Sequence, residues 1–154
     1  MAEHNEEIAT LNTLIATTID SVTGYENSAK DIDNPRFAEI FRQRANERQR
    51  VVEDLRAEVR RLGGDPEDSG SFMGKTHQRF LDLKAAITGR DDKAIINEVE
   101  RGEDYLKEKF ETALNSGHLG GESRAAVERA YQSVRSGHDQ MSQLKHAMES
   151  GARD

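Results

Sequence analysis

Apolar side chains recur at an unbroken three-four spacing at both ends of this chain. Ile8, Leu11, Ile15, Thr18, Val22, Tyr25 and Ala29 form one series, and Val127, Ala130, Val134, Gly137, Met141, Leu144 and Met148 form another. A helix of 3.6 residues per turn gathers each series on one face. A helix with one apolar stripe must bury it against other helices, so the pattern constrains the chain to a helical bundle. The first stripe predicts a helix over about residues 5–31.

The remaining elements follow from caps and breaks. Asn34-Pro35 supplies an N-cap and a first-turn proline for a second helix bearing Phe37, Ile40, Phe41, Ala45, Val51, Val52, Leu55, Val59 and Leu62. Gly63-Gly64-Asp65-Pro66 ends it. The join between these two helices is short, so they are antiparallel neighbours. Asp91 or Asp92 caps a third long helix with Ile95, Val99, Gly102, Leu106, Phe110 and Ala113 on its inner side. A glycine-rich break from Asn115 to Gly121 precedes the last helix. Between helices two and three, a Gly/Asp/Pro/Ser loop leads to Phe72, Phe80, Leu81, Leu83 and Ile87, which fit a short extra helix. A connection of that length runs along the bundle and brings helix three in parallel to helix two. The expected architecture is all-α, an antiparallel four-helix bundle with a long crossover, as one domain over 1–154.

Composition agrees and excludes several functions. One third of the 154 residues are charged, 5% are aromatic, and there is no tryptophan. The net charge of −7, with acids interrupting every basic stretch, argues against a nucleic-acid partner. With no cysteine there is no disulfide, thiolate metal site or redox thiol. No apolar leader core or membrane-length run is present, so no membrane partner is expected and the cytoplasm is the expected location. No phosphate loop or nucleophile elbow is present either, so the expectation leans away from an enzyme.

Hairpin symmetry points to a polar cross-section. A first turn centred near Asp33 sets Glu47 opposite Thr18 or Ile19, and a second centred near Leu119 sets Glu103 opposite Arg135. Thr18, Glu47, Glu103, Arg135 and His138 then share one level, with Arg50 one turn from Glu47 on the same helix face. Tyr25 and Tyr131 are expected as core tyrosines bonded to this layer.

The stretches Arg61-Leu62-Gly63-Gly64-Asp65-Pro66-Glu67-Asp68-Ser69-Gly70-Ser71 and Glu100-Arg101-Gly102-Glu103-Asp104, with His138, resemble a family of small bacterial four-helix-bundle proteins of unknown function. More broadly the chain resembles the ferritin-like superfamily. Phe41, Ala45 and Glu47 precede the position where rubrerythrin-type sites have histidine. Such sites take a carboxylate from each of two helices and Glu-x-x-His from each of the other two. Here Glu47-Arg48-Gln49-Arg50 and Arg135-Ser136-Gly137-His138 look like that pair with one ligand replaced by arginine, which offers a metal no lone pair.

The resemblance therefore implies a ferritin-like bundle with a degenerate two-metal site, and no cofactor is expected. Arg50 and Arg135 are expected to pair with Glu47 and Glu103 beside His138, in space opened by Gly102 and Gly137. The implied role is a non-catalytic structural or interaction one, with stress tolerance as the setting that family context suggests. The rival is an iron- or manganese-binding oxidoreductase or storage protein using Glu47, Glu103 and His138. A homodimer through the Phe72–Phe80 side or through an uncovered bundle face is the third expectation.

Overall fold

The structure is a computed structural model that describes residues 2–70 and 92–151. Four helices are present among them: α1 (Ala2–Asp31), α2 (Pro35–Arg61), α3 (Asp92–Asn115) and α4 (Gly121–Gly151), with no strand. The short extra helix and the Phe72–Phe80 dimer surface lie outside the described residues.

Local chemistry accounts for the boundaries. The Asn34 side chain accepts the amide hydrogens of Arg36 and Phe37, and Pro35 opens the helix. Such a cap is worth about 1 kcal/mol. Gly63, at φ 83°, takes the left-handed turn that stops α2, and Gly117 does the same after α3 at φ 79°. In α1 the hydroxyls of Thr10, Thr13, Thr17 and Thr18 donate to carbonyls one turn back, so these polar groups are satisfied within the helix. Asp92 does more than begin α3. Its carboxylate accepts the amides of Asp33 and Asn34, clasping the α1–α2 turn.

The core falls into two apolar clusters stacked along the bundle. One joins Leu11, Leu14, Ile15 and Val22 of α1 to Val52, Leu55 and Val59 of α2, Leu106 and Phe110 of α3, and Val127 and Val134 of α4. The other joins Tyr25, Ala29 and Ile32 to Phe37, Phe41 and Ala45, then Ile95, Ile96 and Val99, and Met141. The first cluster uses the early part of α1 and α4 but the late part of α2 and α3. So α1 and α4 run one way and α2 and α3 the other. The pairs α1–α2, α3–α4, α1–α3 and α2–α4 are packed neighbours, and all four are antiparallel.

The end of α2 and the start of α3 lie at opposite ends of the bundle. Residues 63–70 run along α1. Gly64 packs on Ile8, the Asp65 carbonyl and Glu67 amide bond the Asn12 side chain, and Gly70 sits against the Asp20 carboxylate. From Ile8 to Asp20 is about 18 Å of helix, and six extended residues span about 20 Å, so the segment climbs almost fully extended. Gly64 allows the close approach, since a Cβ there would lie 2.8 Å from Ile8 Cδ1. No helix among the described residues is long and apolar enough to cross a membrane.

Candidate functional site: a buried arginine–glutamate layer

Between the two apolar clusters lies one polar layer. Arg48 of α2 has no exposed surface and Glu103 of α3 is 2% exposed. Arg48 Nη1 donates to Glu103 Oε1 at 2.7 Å and Nη2 to Oε2 at 2.5 Å, the two-bond fork that guanidinium and carboxylate favour. Nη1 also donates to Ser21 Oγ of α1 at 2.8 Å. The Arg48 Cζ stands 5.5 Å from the centre of the Tyr25 ring, which adds a cation–π contact. Gly137 of α4 closes the layer: a Cβ there would press on Arg48 Nη2 and lie 2.8 Å from Glu103 Oε2. All four helices thus contribute.

Burial works against the guanidinium charge, yet the adjoining Glu103 carboxylate outweighs it and holds Arg48 above its ordinary pKa. Breaking such a pair costs about 3–5 kcal/mol, whereas exchanging both members for apolar groups of like volume is often neutral. Tyr25 sits 3% exposed, and burial first, then the Glu103 charge, push its pKa well above the ordinary value. Its hydroxyl and Arg48 Nε make no hydrogen bond to a described group.

The other expected members of the layer take different positions. Arg50 is exposed on the outer side of α2, and Arg135 is exposed on α4. Neither enters the interior, because the inward stripe of α2 runs through Ala45, Arg48 and Val52, and that of α4 through Val134, Gly137 and Met141. Glu47 is half-buried and pairs along its own helix with Arg44 at 2.6 Å. Its expected pairing with Arg50 or Arg135 is replaced by this local one. Glu103 is where the cross-section places it. Gly102 faces solvent, and a Cβ added there would meet open space, so only Gly137 makes room for the arginine. His138 lies just outside the layer, its Nε2 2.5 Å from Asp104 Oδ1 and its Nδ1 3.3 Å from Asp139 Oδ1. Thr18 is fully buried as expected, and its hydroxyl donates to the Leu14 carbonyl. Tyr131 reaches Glu111 at 2.5 Å rather than the layer.

A two-metal centre does not fit these residues. Glu103 is the carboxylate that enters the layer between the helices, and both its oxygens are taken by Arg48, while the buried Asp20 of α1 lies against Gly70. Glu47 and His138 have their own partners at the bundle surface, and no group of three His, Asp or Glu side chains among the described residues is arranged to hold a metal ion.

Sequence reasoning missed Arg48, Ser21 and Asp104. The signal for Arg48 was present: Phe41, Ala45, Arg48, Val52, Leu55 and Val59 continue one three-four stripe, in which arginine is the single charged member.

Fold and site together define an all-α four-helix protein whose interior is crossed by a buried ion pair. Residues 6–116 match a family described as a domain of unknown function, DUF2383, and the chain belongs to that family. The matched span carries Arg48 and Glu103, while Gly137 lies beyond it in α4. No curated protein matches the chain.

Proposed function

We propose that this protein is a non-catalytic structural or interaction module of ferritin-like ancestry. In this reading the Arg48 guanidinium takes the interior place that metal cations hold in two-metal bundles. The observation that carries it is the two-bond Arg48–Glu103 pair, buried between two apolar clusters and occupying both oxygens of the Glu103 carboxylate. An ion pair in that position favours one alignment of the helices, since displacing α2 or α3 by a turn leaves a buried charge unpaired, and displacing α4 removes the space that Gly137 leaves for Arg48. The whole chain acts as one domain here, because α4 supplies Val127, Val134 and Met141 to both clusters.

The experiment is metal analysis of protein produced with iron and manganese in the medium and purified without chelator. Metal well below one ion per chain is the expected result. Near-stoichiometric metal that is lost on Glu103→Gln overturns the reading in favour of a metal-dependent oxidoreductase or storage protein.

A further inference from the structure

The outer side of the α2–α4 seam carries a groove of about 590 Å³ lined by Arg44 of α2 and by Gln132, Arg135, Asp139, Gln140 and Gln143 of α4. In a chain with 33% charged residues, this α4 face offers glutamine amides at three positions where a merely solvated helix face would carry lysine and glutamate. The residues from Gln132 to Gln143 extend over about 16 Å of helix.

The two arginines of the groove are held differently. Arg44 has a side chain only 13% exposed. Its Nε donates to Gln140 Oε1 at 2.7 Å and its Nη1 to Glu47 Oε1 at 2.6 Å. Those bonds fix the guanidinium plane and leave Nη2 without a partner among the described residues. A donor fixed in advance loses little freedom when a ligand arrives. Arg135 is exposed and joins no described residue by ion pair or hydrogen bond. The acid in the groove, Asp139, stands 3.3 Å from His138, and Glu47 balances Arg44. Arg135 is therefore the groove cation that no described carboxylate pairs with, flanked by amide donors and with Asp139 as the opposing charge, on a protein of net charge −7.

We propose that this groove binds a small molecule bearing a carboxylate or phosphate group, held by Arg135 and Arg44 Nη2 with the glutamine amides completing its hydrogen bonds. Guanidinium presents two parallel donors to either oxyanion, and the glutamine NH₂ groups suit the remaining oxygens. The site is independent of the structural role proposed above, and its failure leaves that reading standing.

The test is titration of the isotope-labelled full chain with inorganic phosphate and, separately, citrate, at constant ionic strength, followed by NMR. Saturable shifts centred on the Gln132, Gln140 and Gln143 side-chain amides are expected with at least one probe, and the responding probe shows which oxyanion is preferred. Arg135→Gln is expected to weaken binding about tenfold or more, the loss typical of a charge-assisted bond. Asp139→Asn is expected to tighten it. Arg129→Gln removes an exposed charge from the same helix outside the groove and is expected to leave affinity unchanged. Absence of saturable binding with both probes, or equal weakening by Arg129→Gln and Arg135→Gln, overturns the proposal.

Discussion

Gly137 leaves open the space that the Arg48 guanidinium occupies. A glycine in the middle of a 31-residue helix is unfavourable by helix propensity alone. Its position against Arg48 and Glu103 supplies the reason for it.

Two glycines should therefore respond to alanine with opposite sign. Gly137→Ala gains about 1 kcal/mol of helix propensity but forces a methyl onto the buried pair, so a net loss of about 2–4 kcal/mol is expected. Gly102→Ala adds a methyl in open space on α3 and is expected to stabilise by about 0.5–1 kcal/mol. Urea unfolding of both variants checks the contrast.

The Arg48–Glu103 pair should show strong coupling. Arg48→Met leaves Glu103 buried without its cation and is expected to cost about 3–5 kcal/mol, and Glu103→Leu a similar amount. Combining the two removes both charges and should restore stability to near that of the parent, in place of the sum of the two losses. A double-mutant cycle in urea measures the coupling. Additive losses would mean that the pair does not form.

Acid sensitivity is expected at the far end of the bundle, where Glu7 is 7% exposed and accepts the Gly120 amide at 2.9 Å. Burial acts to raise its pKa, but bonds from Ser123 and Gly120 and the nearby His4 hold it below the ordinary 4.5. A carboxylate whose folded pKa is depressed adds stability above its unfolded pKa and loses it as pH falls through the folded value. Glu7→Gln should cost about 1 kcal/mol at neutral pH, by removing a negative charge from the start of α4, and should flatten the loss of stability below pH about 4.5. Urea midpoints across the acidic range give the comparison.

Tyr25 supplies the alkaline counterpart. A phenol whose folded pKa is raised adds stability below its unfolded pKa and loses it as pH climbs past about 10. Of the three tyrosines, Tyr25 should develop tyrosinate absorbance only as the protein unfolds. Tyr25→Phe should make the alkaline loss shallower while changing stability at neutral pH by no more than about 1 kcal/mol, because the hydroxyl has no partner to lose.

The helices were legible because long stripes, Asn34-Pro35 and Gly63 act through local chemistry that a sequence displays directly. Gly137 was legible from the stripe of α4, and Glu103 from counting outward from the second turn. The identity of the arginine was not, because the Glu-x-x-His spacing favours Arg50, three residues after Glu47, over the stripe position at Arg48. Those two readings differ by about 160° around the helix, since two residues turn through about 200°. Gly102 was misplaced in a similar way: it and Glu103 both fall between Val99 and Leu106, and spacing alone does not choose between them. The pairings of Glu47 with Arg44 and of His138 with Asp104 depend on side-chain reach at the surface, which periodicity does not encode.

The bond from the Gly120 amide to Glu7 joins positions 113 residues apart. During synthesis, which proceeds from the N-terminus, the first hairpin emerges long before its closing partner. Until α4 follows, Leu11, Ile15 and Leu55 lack the Val127 and Val134 cover, and Arg48 and Glu103 can meet without the helix that seals them from water. Completion of this bundle therefore waits for α4, and a chain halted before that helix would present a greasy, half-wetted surface to chaperones.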